Sequence, residues 1–226
     1  MLVQEWMTKE VLTITLETSM MKASRLMKDK NIRRLPVVDE NMCVIGIVSD
    51  RDIKEASPSK ATTLDMHELY YLLSELKIKD IMTKSPICAE PNDSVESVAL
   101  VMMERNFGGM PVVDKDRKVV GIITKSDIFR VLVSITGVSS GGIQLAFELP
   151  TRAGTLRPVL EALRERGGSI ISVLSSQEST DSPTRRVYIR LRPMSDEQEE
   201  ILVKAMQSEF PTFLYWEKPL RKKTPE

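Results

Sequence analysis

One spacing constrains the fold more than any other feature of the chain. Met7-Thr8 returns as Met82-Thr83, Leu35–Asp39 (LPVVD) as Met110–Asp114 (MPVVD), Gly46 as Gly121 and Asp52 as Asp127, all at a constant offset of 75. Four landmarks sharing one offset align without a gap. An internal repeat of this kind makes roughly the first 135 residues two copies of one unit.

Each copy carries the same local signals. A short extended piece follows the Met-Thr pair, and an amphipathic helix comes next. Apolar residues at Met20, Ala23 and Met27, and at Val95, Val98 and Met102, fall at helical spacing. Asp93 and Glu96 have the spacing of a capping box for the second of these helices. The PVVD runs and the runs CVIGIV and VVGIIT read as buried strands joined by a hairpin turn. A further helix starts at Asp50 in one copy and at Lys125 in the other. Between the copies, Ser57–Thr63 reads as a polar loop and Asp65–Leu76 as a helix.

The repeat stops after Ile135. Thr136–Gly142 (TGVSSGG) is a Gly/Ser linker and a domain boundary. A different order follows. IQLAFELP is a strand, and a turn leads into a helix closed by Gly167-Gly168. SIISVLSS and RRVYIRLRP are strands, Ser195 and Gln198 cap another helix, and TFLYW is a closing strand. That order, β-α-β-β-α-β, is a ferredoxin-like plait. The expected division is a first unit over 1–56, a connecting loop and helix over 57–78, a second unit over 79–135, a linker over 136–142, the plait over 143–218 and a tail over 219–226. The fold class is α+β.

Composition removes several function classes. Lys and Arg number 32, Asp and Glu 32, and the formal charge is +0. Such a balance argues against nucleic acid or an anionic membrane as the main partner. The basic Arg221–Lys223 reads as a solvated terminus. No stretch approaches the ~18 apolar residues of a membrane span. The start, MLVQEWMTKE, has neither the basic nor the apolar region of a signal peptide. Cys43 and Cys88 lack C-x-x-C spacing and read as reduced thiols of a cytoplasmic protein. His67 is the only histidine, and no G-x-S-x-G, P-loop or zinc spacing is present. Neither a catalytic group nor a metal site is expected. The methionines recur at apolar helix positions and read as core. The pairs Met20-Met21 and Met102-Met103 also suit a helix face packing on a partner.

The segments Gly46–Ile53 (GIVSDRDI) and Gly121–Ile128 (GIITKSDI) admit two readings. In one, Ser49 and Asp52, like Thr124 and Asp127, are ordinary capping boxes. In the other, the helix start offers free amides and a positive dipole end to an anion. The hydroxyl then donates to a phosphate, and the carboxylate accepts from both hydroxyls of a ribose. Gly46 and Gly121 let another backbone or a ring approach closely. The duplication, together with PVVD, favours nucleotide binding, and the two readings are compatible.

The tandem units, with Met-Thr, PVVD and the Ser/Thr-x-x-Asp step in each, resemble a pair of cystathionine-β-synthase (CBS) domains over about 1–135. The plait resembles an ACT domain over about 143–218. Gly154 and Leu156 match that family's turn, while Thr151 and Ala153 stand where the family has other residues. The whole order, with its insert between the repeats, resembles acetoin-utilisation proteins of the AcuB type.

These resemblances imply a non-enzymatic regulatory sensor with no catalytic cofactor. CBS pairs bind adenine nucleotides (AMP, ADP, ATP or related compounds) in the clefts between their units. The implied contacts are Arg33, Arg34, Gly46, Ser49, Arg51 and Asp52 in the first copy, and Gly121, Thr124, Lys125 and Asp127 in the second. AMP-binding CBS domains often carry a basic residue where Arg33-Arg34 stand, although these are equally read as solvated surface arginines. The second copy has Gly108 and Gly109 there, so the clefts are not equivalent, and the cleft served by the arginines is left open. In the ACT-like part, Arg152, Ala153, Gly154, Thr155 and Leu156 form the candidate effector turn, or an ordinary turn in a dimerisation domain. A cytoplasmic homodimer acting on an unidentified protein partner, in acetoin or related carbon metabolism, is the implied assembly. The alternative is a scaffold whose clefts are structural.

Overall fold

Both copies of the repeat build the same hairpin between two helices. The computed structural model describes residues 1–57 and 75–219. The polar loop after Ser57, all but the end of the Asp65–Leu76 helix, His67 and the Arg221–Lys223 tail lie outside these residues. The chain divides into two compact units, Met1–Phe129 and Arg130–Glu226.

In the first unit, helix α1 (Met20–Asp29) starts where the Ser19 side chain accepts from Lys22 N, and it buries Met20, Ala23 and Met27. Strands β1 (Arg34–Val38) and β2 (Val44–Ser49) pair antiparallel, and α2 (Asp50–Ala56) follows directly. Strand β3 (Thr83–Lys84) adds to β2. The second copy repeats the plan with α3 (Val95–Glu104), β4 (Gly109–Val113), β5 (Val119–Thr124) and α4 (Lys125–Thr136). The unit ends inside α4. Equivalent details recur: a register shift after Val37 and after Val112, and positive φ at Met42 and Arg117 in the hairpin turns. β1 and β4 are buried almost throughout, as expected for strands without polar alternation.

One expected cap is corrected. Helix α3 starts from Ser94, whose hydroxyl accepts from Ser97 N at 3.0 Å. The Asp93 carboxylate is already committed to Glu90 N at 2.7 Å in the preceding turn. Glu96 faces the N-terminal amine at 3.6 Å instead of reaching back.

The copies exchange their leading segments. Thr8 bridges Ile122 of the second copy, and Thr83 pairs with Ile47 of the first. Val3 N donates to Asp93 O at 3.0 Å, and its equivalent, Ile78 N, donates to Thr18 O at 2.9 Å. Met7 packs on Gly121 and Met82 on Gly46, so a side chain at either glycine would overlap a methionine sulfur. Cys43 and Lys118, themselves equivalent positions, bridge each other where the two copies meet. A small cluster of Val38, Val44 and Val113, with Cys88 and Val119 against it, joins the copies there.

The second unit runs β6 (Gln144–Pro150), α5 (Arg157–Glu165), β7 (Ile170–Ser176), β8 (Thr184–Leu191), α6 (Asp196–Glu209) and β9 (Phe213–Glu217). Its sheet has the order β7-β8-β6-β9, with every pair antiparallel. Alternate residues Leu145, Phe147 and Leu149 of β6 and Val187, Ile189 and Leu191 of β8 form one core with Val159 and Leu163 of α5 and Leu202 and Met206 of α6. Ser195 and Gln198 make the expected reciprocal cap. Gly167, at φ 78°, and Gly168, whose N–H reaches Leu163 O at 2.8 Å, close α5. The Thr136–Gly142 stretch is folded: α4 runs through Thr136 and a single 3₁₀ turn spans Val138–Ser140.

Candidate functional site

The first unit holds a cavity of about 580 Å³, within the ~300–1,000 Å³ range of small-molecule sites. One wall comes from the first copy: Arg33 and Arg34 at the entry to β1, Ile47 and Ser49 of β2, and Asp50, Arg51, Asp52 and Lys54 of α2. The other comes mainly from the second copy: Thr83, Pro86 and Ile87 after the exchanged segment, Asn106–Gly109 and Pro111 before and in β4, and Lys125 at the start of α4.

The Ser49–Asp52 step is a complete capping box. Asp52 Oδ2 accepts from Ser49 N at 2.7 Å and from Ser49 Oγ at 2.8 Å, and Asp52 N donates to Ser49 Oγ at 3.4 Å. In the second copy Asp127 Oδ2 likewise accepts from Thr124 N and from Thr124 Oγ1, both at 2.7 Å. The amides that begin the two helices are tied back in equivalent fashion, Asp50 N to Arg33 O at 3.0 Å and Lys125 N to Gly108 O at 3.1 Å. The two carboxylates differ in access. Asp52 is half-buried and lines the cavity, whereas Asp127 is 4% exposed and does not.

Arg34 reaches across into the second copy. Its guanidinium lies against Gly108, and its Cδ lies against Gly109. Burial holds its pKa below the ordinary arginine value; Asp50 and Asp52 oppose that, while the nearby charges of Arg33 and Arg51 add to it. Lys54 pairs with Asp50 at 3.3 Å on the exposed side of α2. Among the described residues, Arg33, Arg34, Arg51 and Lys125 have no carboxylate within salt-bridge distance. The lining thus carries five cations against two carboxylates.

Of the ten residues expected to contact a nucleotide, this cavity gathers Arg33, Arg34, Ser49, Arg51, Asp52 and Lys125. Thr124 and Asp127 form their own box outside it, and Gly46 and Gly121 face methionines. The close approach expected of those glycines is occupied by Met82 and Met7. Sequence reasoning passed over Asp50, Lys54, Thr83, Phe107 and the apolar Pro86-Ile87. The exchange of segments between copies puts Thr83 and its successors beside the first hairpin, and no local pattern shows that exchange. In the sequence Gly108 and Gly109 show only the lack of arginines, whereas in the fold they face Arg34.

In the second unit the turn Arg152–Leu156 is mostly exposed. Gly154 has φ 83° with open space around it, and Thr155 Oγ1 donates to Pro150 O at 2.9 Å. A shallow groove of about 570 Å³ runs along α5, lined by Leu156, Arg157, Leu160, Glu161, Arg164, Gly168 and Ile170. Of the expected effector turn, only Leu156 touches it.

Cys43 and Cys88 are unbridged. Burial pushes the Cys88 thiol up, against a smaller opposing effect of Arg117. Among the described residues, no group of three or more His, Cys, Asp or Glu is placed to hold a metal, and no helix is long and apolar enough to cross a membrane.

The CBS domain profile matches residues 3–59 and 78–134, one stretch in each copy and together half of the chain. A CBS domain-containing protein of Dictyostelium discoideum is 33% identical over 134 residues, covering 59% of this chain and 92% of the relative. L-aspartate semialdehyde sulfurtransferase of Methanocaldococcus jannaschii is 35% identical over 129 residues, covering 57% of this chain but 23% of the enzyme. The chain therefore spans about a quarter of the length of such enzyme relatives. Among solved structures, CBSX2 in complex with AMP is 31% identical, with a TM-score of 0.50 over 60% of this chain and 98% of that one. AcuB from Vibrio cholerae is 28% identical, with a TM-score of 0.51 over 62% of this chain and 95% of that one.

Proposed function

Because the chain belongs to the CBS-domain family, we propose that it is a non-enzymatic sensor that holds an adenine nucleotide in the cavity of its first unit. One observation carries this reading. A cavity of about 580 Å³ gathers a half-exposed carboxylate, three arginines and apolar walls at the junction of the two copies. AMP in the related CBSX2 structure supports the ligand class. Asp52 accepts from the ribose hydroxyls while its Oδ2 keeps the cap. Ile47, Pro86, Ile87 and Phe107 supply apolar surface for the base. Arg33, Arg34, Arg51 and Lys125 meet phosphate, arginine by its planar fork.

The second unit is an ACT-type domain in this reading, with Arg152–Leu156 as its effector turn, and it supports a homodimer. The plait topology and the exposed, positive-φ Gly154 favour it. The protein works in the cytoplasm on a protein partner of carbon metabolism, as the AcuB likeness suggests. Nucleotide acts on that partner only through unequal affinity for two states of the sensor.

A scaffold with structural clefts is the second reading, favoured by one fact: the Ser49–Asp52 box satisfies its own hydrogen bonds within the chain. A thermal-shift series with AMP, ADP, ATP and S-adenosylmethionine separates the two. Ligand at 100 times its dissociation constant stabilises by ~2.7 kcal/mol. No shift with any adenine compound at millimolar concentration would leave only the scaffold.

A further inference from the structure

The charge of the cavity goes further than the nucleotide class. Lys54 is already paired with Asp50, and the second carboxylate, Asp52, is engaged in its cap. Among the described residues, Arg33, Arg34, Arg51 and Lys125 face one space with no carboxylate within salt-bridge distance, while Asp50 and Asp52 act on Arg34 through space. A phosphomonoester carries roughly −2 at neutral pH, and each added phosphate about one charge more. Five cations against two carboxylates leave about three positive charges, which a di- or triphosphate neutralises and a monophosphate leaves in excess. An uncharged adenosine offers them nothing, and a sulfonium adds a further positive charge.

The placement of Arg34 makes the arrangement one-sided. Gly108 and Gly109 stand in the second copy where Arg33 and Arg34 stand in the first. Any side chain at Gly108 would overlap the Arg34 guanidinium. Because the second copy has glycines there, the gap among the described residues receives this arginine from one copy alone. Lys125 comes from the other copy, so a phosphate chain reaching it ties the copies together.

We propose that this cleft selects its nucleotide by phosphate charge, preferring a triphosphate over a monophosphate and excluding adenosine and sulfonium compounds, with Arg34 as the specificity-determining residue. The proposal rests on the nucleotide reading above.

Titration calorimetry on the full chain, without divalent cations, tests it with adenosine, AMP, ATP, S-adenosylmethionine and inorganic tripolyphosphate. The expected result is one strong ATP site per chain, at least about tenfold tighter than AMP, with tripolyphosphate competing. Arg34→Gln is expected to bring the ATP-to-AMP ratio within about threefold, while Arg34→Lys restores part of it. Equal affinity for AMP and ATP, or S-adenosylmethionine binding as well as ATP, overturns charge selection and leaves the nucleotide reading intact. Tripolyphosphate binding with no adenine compound bound overturns the nucleotide reading and supports the charge argument. Binding of none of them overturns both. The unmodified chain decides these outcomes, so a variant that failed to fold would not rescue the proposal.

Discussion

The two copies of the repeat share a backbone and differ in chemistry. Their hairpins have the same register shift, the same positive-φ turn and the same carboxylate accepting from the hydroxyl residue before the helix. Yet Arg34 faces Gly108-Gly109 across the gap, and Asp52 opens to a cavity while Asp127 is sealed. Duplication fixes how the segments interlock. Differences at a few positions set which cleft gathers the cations.

The symmetric half of that comparison breaks first at the exchanged segments. Gly46→Val and Gly121→Val each push a side chain into a methionine, and each is expected to cost about 2–3 kcal/mol. Denaturant unfolding of both variants checks this. Losses that differ by more than about 1 kcal/mol would show that the copies are not interlocked alike.

The asymmetric half separates the two aspartates. Asp127→Ala removes a buried acceptor of two Thr124 hydrogen bonds and is expected to cost about 2 kcal/mol of stability. Asp52→Ala, at a more open cap, is expected to cost about 1 kcal/mol. Binding should invert the order. Asp52→Ala lowers nucleotide affinity about tenfold or more, and Asp127→Ala leaves it within about threefold. Similar affinity losses in both would make the clefts equivalent.

Much of this was legible in the sequence, and the failures are instructive. The helical spacing of Met20, Ala23 and Met27 and of Val95, Val98 and Met102 named the buried faces residue for residue. The Ser49–Asp52 and Ser195–Gln198 caps also formed as spaced, because capping is decided within four residues. Asp93 misled because a second acceptor, Ser94, was adjacent and the carboxylate had a nearer amide. The glycines misled for a different reason. Gly46 and Gly121 do admit a close neighbour, but the neighbour is Met82 or Met7 from the other copy. Contacts between the two copies leave no local periodicity, and the same is true of Thr83 and Phe107 in the cavity wall.

The smallest effect concerns Cys88, which sits where the copies join. Burial raises its pKa, so the folded chain keeps this proton at pH values where the unfolded chain has lost it. The folded state then binds more protons, and this contribution to stability falls as pH rises above the ordinary thiol range of ~8.5. Alkylation of Cys88 in the native protein should be slower than in denatured protein at pH 8 and should accelerate above that range. Equal rates would mean that the junction between the copies is open to solvent.

Crystals grown with ATP test the central claim most directly. The account predicts nucleotide density in the first cleft, with the ribose at Asp52 and the phosphates among Arg33, Arg34, Arg51 and Lys125. Density confined to the Asp127 side, or an empty cleft at millimolar ATP, would contradict it.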